Sequence, residues 1–484
     1  MKWQNLFSQL GNQISFLYLS RYGVHFLIVM FCKNACHTNS NRKTQGKMSC
    51  SKRPLEDDFL KGEKRAKRGT ESDDEFADLE DEVMFKSNEL ETTNSDMYLD
   101  SINRKILNFE LPFECSSTLA TTNVFVCLVC GKYLQGSSTS SPAYLHSVDS
   151  DHHIFISLES LKFILLPEQK VLSKERESEL KDIQLLIDPK FDERMVEKFD
   201  KEPMQVETYL REQYTVGYIP ILNKLSDLGL KVDNTAVSDN ALFYALSHLS
   251  KFRDFFINYN YSDTAPLSNQ VSRLIRNIWS PYLFRGFTSS YAIENYLSTC
   301  KIPPRIRSDL KLFYMWITNT LIKENKSLKP IFTGKLTADS VDKKNLTTFL
   351  TLTLSMPQQS VFKDGTSSSI EQHDIETLIT QRNFHIKKAP EILTIYIDRT
   401  NHMRIEGIDQ ELNMSIVKFD PDLLEVNNTF KYRLIGNITY ENKVQILNKS
   451  QSKWMEFDGV SVKEVEKELL FINNCKLQFW ELLI

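Results

Sequence analysis

Cys127 and Cys130 are separated by two residues, and Gly131 follows at once to open a Gly-Lys-Tyr turn. Two thiolates at that spacing can grip one metal ion from a single tight turn, as in a zinc knuckle. His146 lies sixteen residues beyond Cys130, and His152 and His153 follow six and seven residues after that. The chain has only nine histidines in 484 residues, so two imidazole positions this close to a cysteine pair are a specific signal. Two Cys and two His fill all four tetrahedral positions, which makes the expected zinc ion structural, with no open position for chemistry. Spacing alone leaves His152 and His153 open as the fourth ligand. Cys115 is a further thiol in the same region and reads as core.

The elements that must hold these residues follow from pattern. Phe109 to Leu165 is compact and mixed. Glu175 to Tyr209 is charged and expected to be a helical connector. From Gln213 to Ile484 runs one long domain whose first half reads as helices. One is expected over Asn240–Ile257, with Leu242, Leu246, Leu249 and Phe256 at helical spacing, and another over Ser308–Lys323. Its second half reads as strands, at Glu391–Ile397, Tyr432–Ile438, Val444–Leu447, Trp454–Phe457 and Leu477–Leu483. Helices followed by an antiparallel sheet give an α+β class. Eight cysteines with one close pair fit a reducing compartment with one metal site better than a disulfide framework. The net charge of −4 points to no class of partner.

The first hundred residues are of a different kind. Val24–Cys32 is an apolar run too short to span a bilayer, so no membrane association is expected. Residues 1–47 are expected to be an extension upstream of a working start at Met48. Residues 48–100 have few apolar groups and no periodicity, and are expected to be a disordered tail. Within the tail, Lys52 and Arg53 are followed by Lys64, Arg65, Lys67 and Arg68, at the spacing of a bipartite nuclear localisation signal read by an import receptor. Glu71 to Glu91 then carries ten acids against Lys86 alone.

Two stretches carry a family resemblance. ECSSTLATTNVFVCLVCGKYLQG, continued by SPAYLHSVDSDHHIFISLESLKFILLP, resembles the ubiquitin-protease type of zinc finger. More narrowly it is similar to the version in the spliceosomal ubiquitin-protease-like proteins, the snRNP-assembly-defective family. That resemblance implies Cys127, Cys130, His146 and His152 as the ligands. Ubiquitin-binding members of the wider class receive the ubiquitin C-terminus through an Arg. Here the loop Ser137–Ser141 offers no cation to a carboxylate, which argues against ubiquitin capture. The second stretch, Gly229 to His248 and then Phe252–Phe256, resembles the Cys box of a ubiquitin-specific protease with its Arg253-Asp254 signature, and the likeness runs to the C-terminus. The implied architecture is residues 101–200 as finger and connector, and 205–484 as a papain-like ubiquitin-specific-protease fold, a helical part plus an antiparallel sheet.

Such a protease needs a thiolate at a helix N-terminus, an oxyanion donor and a histidine base. Aligned on Arg253-Asp254, the nucleophile position holds Val237 and the oxyanion position Val232. Lys453-Trp454-Met455-Glu456-Phe457-Asp458-Gly459 resembles the family's C-terminal segment, with Asp458 where the histidine-orienting acid belongs and Glu441 where the base belongs. The last histidine in the chain is His402. The strand Pro390–Arg399 carries Tyr396 and Asp398 where active proteases differ, and Cys300 stands alone where their fingers region has paired cysteines. Arg276–Phe284 resembles the spliceosomal subfamily. The resemblance therefore implies a non-enzymatic nuclear splicing factor that supports the U4/U6.U5 tri-snRNP and its entry into the spliceosome, scaffolding spliceosomal proteins without direct RNA contact. The alternatives are a ubiquitin-binding adaptor, or a deubiquitinase with Cys300 as a displaced nucleophile.

Overall fold

The computed structural model describes residues 98–484 apart from 209–212, 223–233, 338–345, 358–370, 383–384, 401–412, 414, 460, 473 and 484. The run Val24–Cys32, Met48, the basic clusters around Lys52 and Lys64, the acidic block, Val232 and His402 lie outside the described residues. Among the described residues no helix is long and apolar enough to cross a membrane.

In helix Asn234–Ser247 everything from Asp239 on is buried, as are His248 and Leu249, the polar Asp239, Asn240 and Ser247 included. A helix buried on every side from Asp239 on lies inside the domain. One side of it meets an eight-stranded sheet, where Tyr244 stacks on Phe457 at 4.1 Å and 8°. The sheet runs in the order Leu352–Ser355, Ile392–Asp398, Cys475–Leu483, Phe430–Thr439, Val444–Asn448, Lys453–Phe457 and Val462–Val465, with Leu424–Val426 also on Phe430–Thr439. It is antiparallel as expected, except that Leu352–Ser355 pairs in parallel with Ile392–Asp398. Helices Ser250–Ile257, Pro266–Ile278 and Leu310–Glu324 share the same core. Tyr314 of the last reaches Thr394 Oγ1 at 2.8 Å and packs edge-on against Phe479. This is the expected α+β arrangement with a ubiquitin-specific-protease-like fold.

Periodicity predicts one helix over Asn240–Ile257, but the structure has two, with Leu249 extended at φ −77° and ψ 107° between them. The cause is tertiary. The indole of Trp279 donates to Ser247 O at 2.9 Å, and the His248 imidazole lies 2.8 Å from Tyr244 O and 3.0 Å from Gly217 O. Carbonyls at the helix end thus find partners outside the helix, so ending it leaves no buried acceptor unpaired. Gly217 is required for this packing. Its φ is +87°, and a Cβ there would lie 2.8 Å from the Trp279 ring.

The charged connector also departs from expectation. It is three short helices, Lys174–Glu179, Lys181–Ile187 and Glu193–Lys198, and not one run to Tyr209. Helix Glu193–Lys198 is capped by Asp192, which accepts from Met195 N–H at 2.6 Å. Beyond it Phe199 and Val206 enter the core of the large domain, and Asp200 accepts both Nη groups of Arg253 at 2.8 and 3.0 Å. Arg253 is 1% exposed and also binds Asp254 through Nε at 2.7 Å. Its guanidinium lies 4.5 Å from the Trp279 ring centre and 5.4 Å from that of Phe199. Burial alone would raise the Asp200 carboxyl, but the Arg253 guanidinium holds it below its ordinary value.

Asp200→Asn leaves the buried guanidinium half-compensated and is expected to cost about 2 kcal/mol in urea unfolding at neutral pH. Because the folded pKa is depressed, the wild-type advantage is complete above the ordinary value of 3.8 and disappears as pH falls through the lower folded value. Equal stability of the two proteins at neutral pH would disprove the clamp.

Candidate functional site

Strand Val124–Cys127 lies inside the five-stranded finger sheet Tyr133–Gln135, Val124–Cys127, Ile154–Ser157, Phe163–Leu165 and Lys170–Val171. The strand delivers Cys127 to its end. The chain then turns back, with Gly131 N–H donating to Cys127 O at 2.8 Å. Gly131 has φ +74°, and a Cβ there would press on Ile106 O at 3.2 Å, so the tight turn that presents Cys130 depends on a glycine. Helix Pro142–Ser150 carries His146 on its inner face. Asp151 ends the helix in the left-handed region at φ 57°, ψ 37°, which swings His152 back toward the cysteines.

The donor atoms of Cys127, Cys130, His146 and His152 all lie within 4.8 Å of one another. His146 Nε2 is 3.3 Å from Cys130 Sγ and 3.1 Å from His152 Nδ1, spacings that suit the corners of a small tetrahedron. Burial pushes the Cys127 thiol up, a penalty that a bound cation offsets by stabilising the thiolate. Two thiolates and two imidazoles suit zinc, and the set leaves no open position. His153 is turned away. Its Nδ1 lies 2.8 Å from Leu166 O, its Nε2 2.7 Å from Asp151, and its ring packs on Tyr98. Cys115 is fully buried, with Thr118 and Gln135 N–H groups donating to its sulfur.

The finger is anchored to the large domain by a residue that the sequence reading missed. Glu110 accepts from Thr288 Oγ1 and from Ser289 N–H at 2.9 Å, while Arg273 donates to the neighbouring Phe109 O at 2.9 Å. Burial pushes the Glu110 carboxyl up, with Thr288 and Ser289 working against that rise. Phe284 of the large domain completes the finger's own core. No local pattern marks Glu110, since its partners lie more than 170 residues away in the chain.

The cleft positions are distributed as follows. Val237 stands in the first turn of helix Asn234–Ser247, seven residues before Tyr244 and so on the same face, toward the sheet. Glu441 lies in the turn between Phe430–Thr439 and Val444–Asn448. Its carboxylate pairs with Lys443 Nζ at 3.0 Å. Asp458 follows strand Lys453–Phe457 and accepts from Ser461 N–H at 2.8 Å and Ser461 Oγ at 3.1 Å. The pairing Val444↔Phe457 brings Lys443 opposite Asp458. Lys443 is raised first by its bond to Glu441, with Asp458 adding to it. The hairpin thus carries a Glu441–Lys443 ion pair with Lys443 facing Asp458. Cys300 closes helix Tyr291–Thr299 beside Tyr296, on a different element from Val237.

Comparison with known proteins places this geometry. Residues 114–177 match the zinc finger in ubiquitin-hydrolases and other proteins. The probable mRNA-splicing protein ubp10 of Schizosaccharomyces pombe is 27% identical, covering 88% of this chain and 96% of that protein. The pre-mRNA-splicing factor SAD1 of Saccharomyces cerevisiae is 27% identical over 79% of this chain and 93% of its own length. The crystal structure of an essential yeast splicing factor superposes with a TM-score of 0.68 at 28% identity, covering 80% of this chain and all of that one. The chain is a homologue of these splicing factors. Human ubiquitin carboxyl-terminal hydrolase 39 is also related, at 26% identity over 84% of each chain. The homologue described here thus joins a ubiquitin-hydrolase-type zinc finger to a protease-like fold.

Metal analysis of the purified protein is expected to give one zinc per chain, lost in Cys127→Ser, Cys130→Ser, His146→Ala and His152→Ala but kept in His153→Ala. Removing the ion with a chelator is expected to unfold the finger, since binding free energy is folding free energy in such modules. Zinc retention in His152→Ala together with loss in His153→Ala would overturn the ligand assignment.

Proposed function

We propose that this protein is a non-enzymatic pre-mRNA splicing factor that supports assembly or stability of the U4/U6.U5 tri-snRNP and its entry into the spliceosome. The observation that carries the reading is the pair of residues in the protease-like cleft, Val237 at the helix end and the Glu441–Lys443 ion pair at the hairpin. A valine side chain cannot attack a carbonyl, and a carboxylate held by an ammonium has no thiol to activate. The relatives' names as splicing proteins support the process, and the family resemblance supplies the tri-snRNP.

The mechanism is scaffolding. The zinc finger, with Cys127, Cys130, His146 and His152 around its ion, and the protease-like body, joined through Glu110, present folded surfaces to spliceosomal proteins. Lys52, Arg53, Lys64, Arg65, Lys67 and Arg68 act as the signal for an import receptor, which places the protein in the nucleus. Direct RNA contact has no part in the mechanism. A ubiquitin-binding adaptor is the second reading, and the cation-free loop Ser137–Ser141 weighs against it.

Affinity purification from nuclear extract is expected to recover tri-snRNP proteins, and depletion to leave introns unspliced. Recovery of proteasome or ubiquitin-conjugate proteins alone would sink the reading. The purified protein is expected to leave a ubiquitin-based thiol probe unmodified, and Val237→Cys to give no turnover of a ubiquitin–rhodamine substrate. Probe labelling that is lost on Cys300→Ala would establish a displaced nucleophile instead.

A further inference from the structure

Two lysines flank a pair of interacting tyrosines. On the helical side Lys311, near the start of helix Leu310–Glu324, holds Nζ 5.2 Å from the ring centre of Tyr396. On the sheet side Lys476, in strand Cys475–Leu483, holds Nζ 5.1 Å from the ring centre of Tyr440. The phenols of Tyr396 and Tyr440 interact with each other, which brings the two lysine–ring pairs into one cluster. The cluster lies next to the hairpin of Glu441 and the start of the central helix. Tyr440 precedes Glu441, and Arg307, just ahead of Lys311, pairs with the buried Asp239 two residues after Val237.

Among the described residues neither ammonium forms an ion pair, although both are half-buried. The neighbouring acids are engaged elsewhere. Asp309 accepts from Leu312 N–H at 3.1 Å as the helix cap, Asp398 from Thr400 N–H at 3.1 Å, and Asp239 from Arg307. Burial lowers the Lys476 ammonium, and the Coulomb attraction of Asp309 offsets only part of that. Half-buried cations that rest on aromatic rings without a direct ion pair among the described residues gain when an anion arrives.

We propose that this lysine–tyrosine cluster is a docking site for an acidic, extended segment of a partner protein. Charge complementarity selects that occupant. Nucleic acid gains affinity with each phosphate neutralised, and two cations supply little of that. Phosphate recognition favours the forked guanidinium, and two arginines described nearby are already bonded. Arg307 is on Asp239, and Arg399 is buried on the carbonyls of Asn413 and Ser415 at 2.8 and 2.6 Å. Carboxylates of Asp or Glu need no fork, and an ammonium binds them as a point charge. The inference rests on the cleft binding rather than cutting, but its test is independent of tri-snRNP recovery.

Fluorescence anisotropy of the full-length protein with a fluorescein-labelled hexaglutamate peptide at low salt is expected to show saturable binding. Affinity should fall about tenfold in Lys311→Gln and in Lys476→Gln, survive in Lys476→Arg, and stay at the wild-type level in Lys453→Gln, whose ammonium serves Glu464 on another edge. Thermal melts that match wild type certify folding, and if Lys476→Gln does not fold, Lys311→Gln carries the test. Absence of saturable binding, unchanged affinity in folded lysine variants, or tighter binding of a phosphoserine hexapeptide or a hexauridine would overturn the proposal.

Discussion

The guanidinium of Arg253 is a full charge placed inside the core, and the surrounding fold is arranged to make that tolerable. Asp200 supplies a bidentate carboxylate from the connector, Asp254 a second from the same helix, and Trp279 and Phe199 cover the flat faces. Three separate stretches of chain are thereby fixed to one point. Trp279 in turn ends the central helix by taking Ser247 O, and Gly217 gives its ring room. A buried charge tolerates few alternative packings, because any arrangement that drops a partner leaves it uncompensated.

The position of the finger follows from this clamp. The connector that holds Asp200 leads back to the finger, while Arg273 and Thr288, which meet Phe109 and Glu110, flank Trp279 in sequence. The same helix and loop therefore support both the core clamp and the seam. Finger and protease-like body meet through a buried carboxylate, a guanidinium on a carbonyl, and Phe284 inserted into the finger core. The surface they present is composite, which suits a scaffold better than a tethered module would.

The hairpin after strand Phe430–Thr439 and the strand end at Phe457 bring several charged groups together. Asp458 is bonded to Ser461 and faces Lys443, which pairs with Glu441. Nearby, lysines lie over tyrosines.

The sequence by itself determined Cys127, Cys130 and His146 as metal-site residues, the α+β order and the valine at position 237, because each depends on local spacing or on residue identity. A C-x2-C turn needs only its own backbone, and Val237 is valine in any fold. Tertiary structure decided the rest. His152 was separable from His153 only through the left-handed turn at Asp151. The helix break at His248–Leu249 came from Trp279 and Gly217, residues distant in sequence with no periodic signature. Glu110 and the Lys311–Lys476 cluster likewise draw their meaning from partners far along the chain. Hydrophobic period reports which face is buried, and only folding reports which polar groups meet there.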